Sequence, residues 1–472
     1  MPNPYRWDTA TEEDLDERPW SLSDRPVPKR VVAPLQHFLH TEVSGGLVLL
    51  AAAVIALVWA NSPWADAYDT FRHAEFALDA PGIHLELDAV ELVNDLLMAV
   101  FFFVVGLEIK RGISFGDLSN PRAAAVPMVA AVGGMVVPAA IYLAVNAGSG
   151  GVSDGWGIPM ATDIAFAVGV LALLGSRVAP GLRSFLLTLA IVDDIGAILV
   201  IAVFYTAQLS LGWLAVAAVV IVAIVALRRM DVISLVPYVV LAGVLWYALH
   251  ESGVHATIAG VILGLLTPAR SLHHPQATAS VIRKQFEKMR SQPDEIDDQL
   301  MLEVSRLSSS GSSPLARLEQ ALHPWSSFLI LPLFALLNAG VALSPERVTA
   351  AVTEPIGLGI ALGLVVGKPV GVVLMGLLAA RITGAALPGS VDWRGLAGVG
   401  ALAGIGFTVA IFISGLAFTE PSQVATSKVA ILGASLVSGV IGYLMLRFSS
   451  AADPDEPTDP TRPAPAADAE RP

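Results

Sequence analysis

The chain has 472 residues, 54% of them hydrophobic and only 15% charged, with a mean hydropathy of +0.67. Soluble domains carry roughly 25% charged residues, so this composition excludes an ordinary soluble protein and points to an all-α polytopic membrane protein. Cysteine is absent, which removes disulfides, thiolate metal sites and cysteine nucleophiles, and of the net charge of −13 close to half sits in the tails, where residues 1–30 hold seven acids and five bases and residues 449–472 six acids and two bases.

The first 35 residues read as a disordered cytoplasmic tail; their acidic "TEEDLDERPW" is unlike the basic start of a signal peptide. A membrane domain then covers 36–448. Apolar runs of spanning length recur about twelve times, at 43–60, 90–109, 123–147, 157–175, 183–205, 211–227, 233–250, 254–268, 325–343, 355–380, 395–418 and 426–447. Basic residues such as Lys29, Lys110, Arg111, Arg228 and Arg447 fall in alternate loops, against only Arg72, Arg347 and Lys428 in the others. That asymmetry puts both termini in the cytoplasm. Residues 76–88, "FALDAPGIHLELD", alternate apolar and polar around a Pro-Gly turn, the pattern of a small β-hairpin outside the membrane. Residues 271–316 are polar and serine-rich, a cytoplasmic insert with some helix near Ser280 to Leu307, and 449–472 form a second disordered tail. Gly359, Gly363, Gly367 and Gly371 recur every fourth residue, a spacing that lets helix backbones approach closely.

Charge inside the spans is where function is to be sought. "AIVDDIGAIL" places Asp193 and Asp194 in an apolar run, and two charges at a helix centre cost about 5–7 kcal/mol on insertion scales. "PMATDIAFAVG" adds Thr162 and Asp163 just after Pro159, and "LVVGKPVG" adds Lys368. "ALAGIGFTVAIF", residues 401–412, has a matching interruption with Gly404, Gly406 and Thr408. Interrupted spans in corresponding members of two three-span groups point to inverted repeats whose unwound segments cross near the midplane. Opposed helix ends there need charge partners: Asp163 suits positive ends, and Lys368 negative ends or a nearby carboxylate. Asp193 and Asp194 project about 100° apart, so one can pair with Lys368 while the other meets water. Carboxylates, a threonine hydroxyl and freed carbonyls form an oxygen-rich site for a hard monovalent cation. A protonated carboxylate binds a cation poorly, so proton and metal ion exclude one another.

These residues resemble the NhaA family of bacterial sodium/proton antiporters. The resemblance runs in order through "LVNDLLMAVFFFVVGLEIKR" (92–111), "GWGIPMATDIAFAVGVLALLGSR" (155–177), "LAIVDDIGAI" (189–198), "SGVHATIAGVILG" (252–264), "LHPWSSFLILPLFALLNAGV" (322–341), "GKPVG" (367–371) and "GIGFTVAIFISGLAF" (404–418). It implies a fold of twelve transmembrane helices, two of them interrupted and crossing, in a multi-pass protein of the bacterial inner membrane. It implies electrogenic exchange of cytoplasmic Na+ or Li+ for external H+, serving sodium and pH homeostasis, without a cofactor. Asp194 would be the principal Na+/Li+ ligand, Asp193 the partner that engages Lys368, Asp163 the acid at the crossing and Thr162 its hydroxyl neighbour. Asp95, Glu108, Glu319 and His323 would form a cytoplasmic funnel and pH response, with His255 on the opposite side. Gly112 stands where an acid is expected, and Ala316 and Gln320 where a lysine and a histidine are, so the resemblance does not extend to the pH threshold. The hairpin at 76–88 implies a homodimer contact. The partners are Na+, H+ and membrane lipid, with no nucleic acid.

Two other classes compete. An intramembrane aspartyl protease needs two acids facing each other from separate helices. Asp163 and Asp193 qualify by position, but no GxGD segment occurs and Lys368 would disturb the dyad. A passive channel needs a continuous polar path, whereas polarity here is concentrated in one midspan cluster.

Overall fold

The structure is a computed structural model and describes residues 42–80, 83–148, 150–206, 209–230, 232, 234–271, 280–284, 311–383 and 393–448. The expected tails (1–35 and 449–472) and most of the expected 271–316 insert lie outside the described residues; within the insert, 280–284 and the last residues from Pro314 are helical.

Helix α1 (Glu42–Ala60) and the short α2 (Ala65–Arg72) lead into an antiparallel hairpin of β1 (Glu75–Ala80) and β2 (Ile83–Asp88), with Glu75 opposite Asp88 and Ala80 opposite Ile83. The alternation read in the sequence is therefore a hairpin. A capping box joins it directly to α3 (Ala89–Phe115): Glu91 N–H donates to Asp88 Oδ1 at 2.7 Å and Asp88 N–H to Glu91 Oε2 at 3.1 Å. Then come α4 (Pro121–Val145), a 3₁₀ segment at Ser153–Met160 continuing after a gap as α5 (Ile164–Leu173), α6 (Pro180–Phe204), α7 (Leu211–Arg229), α8 (Val236–Glu251) and α9 (Thr257–Leu266). After the insert follow α10 (Pro314–Asn338), α11 (Pro345–Thr353), α12 (Pro355–Thr383), α13 (Trp393–Ala403), α14 (Phe407–Ala417) and α15 (Pro421–Phe448).

Eight of these helices are long and apolar enough to cross a membrane, the 3₁₀ segment with α5 counting as one, and α13 with α14 makes a ninth if taken as one span bent by 48°. The shorter apolar helices α1, α8 and α9 fall at the three remaining expected positions.

Both expected interruptions are present. After Met160 the chain is extended through Ala161 (ψ 148°) to Asp163 (ψ 100°), where helix resumes. Asp and Thr compete with helix through their own side chains, which favours a cap over a helix interior. The second break, residues 404–406, is "GIG", where glycine carries the largest helix penalty of any residue but proline. Two prolines leave a related mark: the turns at Ser326–Ile330 and Gly363–Gly367 widen to π geometry just ahead of Pro332 and Pro369. A proline lacks the N–H for the carbonyl four residues earlier and clashes with it, and a widened turn relieves the clash.

The glycine stripe of α12 packs on α4 and the 3₁₀ segment. A methyl on Gly363 would meet Pro159, one on Gly367 would meet Pro138, and one on Gly371 would run into the Gly133 carbonyl. This close approach lays the stem of Lys368 along Gly134 and carries its ammonium toward the breaks.

Candidate functional site

The two breaks lie against each other. Asp163 N–H donates to Ile405 O at 2.6 Å, and Thr162 Oγ1 donates to Ala403 O at 2.9 Å. Each half-helix that begins there has N–H groups with no partner in its own helix. Asp163 serves both: Oδ1 accepts the Phe166 N–H of α5 at 3.0 Å, and Oδ2 accepts the Thr408 N–H and hydroxyl of α14 at 3.1 and 2.6 Å. Phe407 N–H goes to Ser435 Oγ on α15 at 3.1 Å. One buried carboxylate thus offsets the positive ends of two helices.

Helix α6 passes beside this crossing. Asp193 Oδ2 accepts from Lys368 Nζ at 2.6 Å and from Thr162 Oγ1 at 2.7 Å, and neither the Asp193 nor the Lys368 side chain has any exposed surface. Lys368 Nζ also donates to Met160 O at 2.6 Å, the last carbonyl of the 3₁₀ half and so a negative end. Thr162 has one hydroxyl proton for two acceptors, Asp193 and Ala403. Asp193 Oδ1 is buried with no partner among the described residues. Asp194 is 8% exposed and accepts no hydrogen bond among the described residues. Glu108 of α3, Asp193 and Asp163 all repel negative charge on it, and Lys368 attracts it.

The oxygen inventory follows. Asp163 is spent on the caps and Asp193 Oδ2 on Lys368, leaving Asp194 and Asp193 Oδ1 uncommitted. Among the described residues no group of three or more Asp, Glu or His is arranged around a metal-sized space.

Beyond Asp194 the acids continue toward the start of α10. Glu108 interacts with Glu319 and Arg111, and Arg111 Nη1 donates to Glu319 Oε1 at 2.7 Å. His323 lies one turn further along α10, exposed, as are Ala316 and Gln320. Gly112 faces the side chains of Ile191 and Leu118 rather than this group.

Asp95 and Glu108, both expected in the funnel, stand thirteen positions apart on α3, on the order of 20 Å at 1.5 Å per residue. Asp95 sits at the hairpin end, with Oδ2 3.8 Å from His250 Nδ1, and lines a cavity of about 490 Å³ together with His255, Arg72 and Lys428. His255 Nε2 lies 2.7 Å from Tyr205 O at the end of α6, and burial holds its pKa below the usual 6.5. Lys428 is a correction: counted as a loop cation, it is 8% exposed within α15.

Several contributors had no role in the sequence reading. Thr408 was noted only as part of an interruption; its place just past "GIG" is the signal that it caps a half-helix. Arg111 was taken for loop charge. Tyr205 ties the end of α6 to the 3₁₀ half, its hydroxyl donating to Asp154 O at 2.7 Å and accepting Gly157 N–H at 3.2 Å.

A family model described as Na+/H+ antiporter 1 matches residues 36–446. The chain belongs to that family. The range takes in both breaks and every residue of the site. The Na(+)/H(+) antiporter NhaA 2 of Myxococcus xanthus is 46% identical over 420 residues, covering 88% of this chain and 89% of that protein. The Na(+)/H(+) antiporter NhaA of Rhodopirellula baltica is 46% identical over 425 residues, 89% of this chain and 95% of the relative, and that of an Anaeromyxobacter species 47% over 440 residues, 90% and 95%. These relatives are named as transporters, not enzymes. With its apolar helices, this member of the Na+/H+ antiporter 1 family is a multi-pass membrane protein.

Proposed function

We propose that this chain exchanges cytoplasmic Na+ or Li+ for external H+ by alternating access at Asp193 and Asp194. The observation that carries the reading is an uncommitted carboxylate, Asp194, next to one held by a lysine, Asp193, where two broken helices cross. Asp194 is the principal cation ligand. Asp193 turns from Lys368 to the ion, and Thr162 with break carbonyls completes an oxygen shell. Protons and cations compete for the same carboxylates, so occupancy by one excludes the other. Asp163 binds no ion; it holds the crossing together. Glu108, Glu319, Arg111 and His323 lie on the cytoplasmic approach, and Asp95 and His255 on the external one.

In this reading the nine spans and the three short helices make twelve crossings, built as inverted repeats, in the bacterial inner membrane with both termini in the cytoplasm. The hairpin at 76–88 joins two copies as a homodimer. More protons enter than sodium ions leave, so the membrane potential drives exchange, which serves sodium and pH homeostasis. An aspartyl-protease reading is disfavoured because Asp193 faces a lysine and Asp163 two helix ends, so no acid pair confronts a shared water.

The test uses inverted membrane vesicles with an established pH gradient. Added Na+ or Li+ dissipates the gradient, K+ does not, and Asp194→Asn abolishes the response. Full activity in Asp194→Asn refutes the site.

A further inference from the structure

We propose that the cavity at the hairpin end binds a small monovalent anion between Lys428 and Arg72. Lys428 projects from α15 into this cavity, which at about 490 Å³ has room for an ion and several waters at roughly 30 Å³ each. Although Lys428 as a residue is more than nine-tenths buried, its ammonium makes no hydrogen bond and no ion pair among the described residues. An unpaired ammonium on so buried a side chain is costly, and the charge that acts on Lys428 is another cation, Arg72 of α2, which lines the same cavity. Arg72 is fixed by Nε donating to Leu337 O at 2.9 Å, while Nη1 stands 3.7 Å from Asp69, outside hydrogen-bond range. Its terminal nitrogens make a loose ion pair with the exposed Asp69 but no hydrogen bond among the described residues, which leaves them donors to share a ligand with Lys428.

The other charged groups at the cavity set the ligand class. Glu91 accepts the Asp88 N–H at 3.1 Å and Asp95 stands 3.8 Å from His250, and neither forms an ion pair with Lys428. His255 spends its Nε2 proton on Tyr205 O, which leaves Nδ1 an acceptor with nothing to offer an anion. The two carboxylates that line the same cavity repel a phosphate or sulfate dianion and tolerate a single negative charge. Halide, nitrate or a small carboxylate meets these limits. Bound there, the ion joins α2, which leads into the hairpin, to the last helix. This site does not depend on the exchange reading, because its readout is binding.

The test follows thermal unfolding of the purified full-length protein in detergent as sodium gluconate is replaced by sodium chloride at constant sodium and ionic strength. Chloride raises the melting temperature saturably, and sodium nitrate does the same. Lys428→Met and Arg72→Gln each raise the half-saturating chloride concentration by about tenfold or more, the loss of one charged contact, whereas Lys428→Arg stays near the parent. The absence of a saturable chloride effect in the parent protein, or an unchanged one in both Lys428→Met and Arg72→Gln, overturns the proposal. A rise produced by phosphatidylglycerol micelles and not by chloride also overturns it, assigning the cations to a lipid headgroup.

Discussion

Replacing Lys368 by methionine removes the ammonium and keeps the stem packed along Gly134. Asp193, with no exposed surface, is then left with the Thr162 hydroxyl as its one remaining donor among the described residues. Breaking a buried ion pair from one side costs about 3–5 kcal/mol, because the surviving charge is uncompensated. The double variant Lys368→Met/Asp193→Asn carries no such charge. Its main debit is the Met160 carbonyl, which loses its donor at about 1–3 kcal/mol. The double variant is therefore expected to be more stable than Lys368→Met alone by about 2 kcal/mol, the part of the loss that belongs to the stranded carboxylate. Reversible unfolding in mixed detergent micelles at neutral pH, run as a double-mutant cycle with Asp193→Asn, measures the coupling. Additive effects, or a Lys368→Met protein as stable as its parent, would refute the idea that the crossing depends on this pair. Stability is the right first measurement, since loss of coupling and loss of fold both silence a transport assay.

Two further outcomes are expected. Gly371→Ala drives a methyl into the Gly133 carbonyl and forces α4 from α12, which costs about 1–3 kcal/mol and lowers exchange, because α12 carries Lys368; Gly433→Ala, with open space around it, is neutral or stabilising by about 0.5–1 kcal/mol, and equal melting of the two variants would discredit the contact. His255 is held below its ordinary pKa of 6.5 by burial, so the unfolded chain takes up the proton first. Its contribution to stability is present above about pH 6.5 and is lost as the pH falls below it. His255→Gln keeps a donor for Tyr205 O and removes the titration, so the variant should gain on the parent as the pH drops below 6.5; a stability difference that does not change with pH would show that His255 is not held neutral.

Much of the architecture was legible because its causes are local. Apolar runs mark helices, alternation around Pro-Gly marks the hairpin, and "MATD" and "GIG" mark breaks through side-chain competition and glycine entropy. What escaped was partnership and depth. Thr408 meets Asp163 across 245 positions, and Lys368 meets Asp193 across 175, so no window of sequence contains both members of either pair. Asp95 and Glu108 share a helix in sequence, and only the fold places Asp95 beside His250 at the hairpin end. Lys428, counted with the loop cations, is buried because α15 packs its first turns into the fold, which no local pattern of sequence displays.

The sequence by itself therefore determined that this chain lives in a membrane, where its helices fall and break, and which residues carry charge where charge is costly. These follow from the free energy of each short segment in lipid. Only the tertiary structure decided how those charges are spent: Asp163 on two helix ends, Asp193 on Lys368, Asp194 on nothing within the described residues, and Lys428 facing a cavity beside Arg72. A broken helix advertises its unpaired groups locally, but the side chain that reaches them is chosen by how distant helices cross.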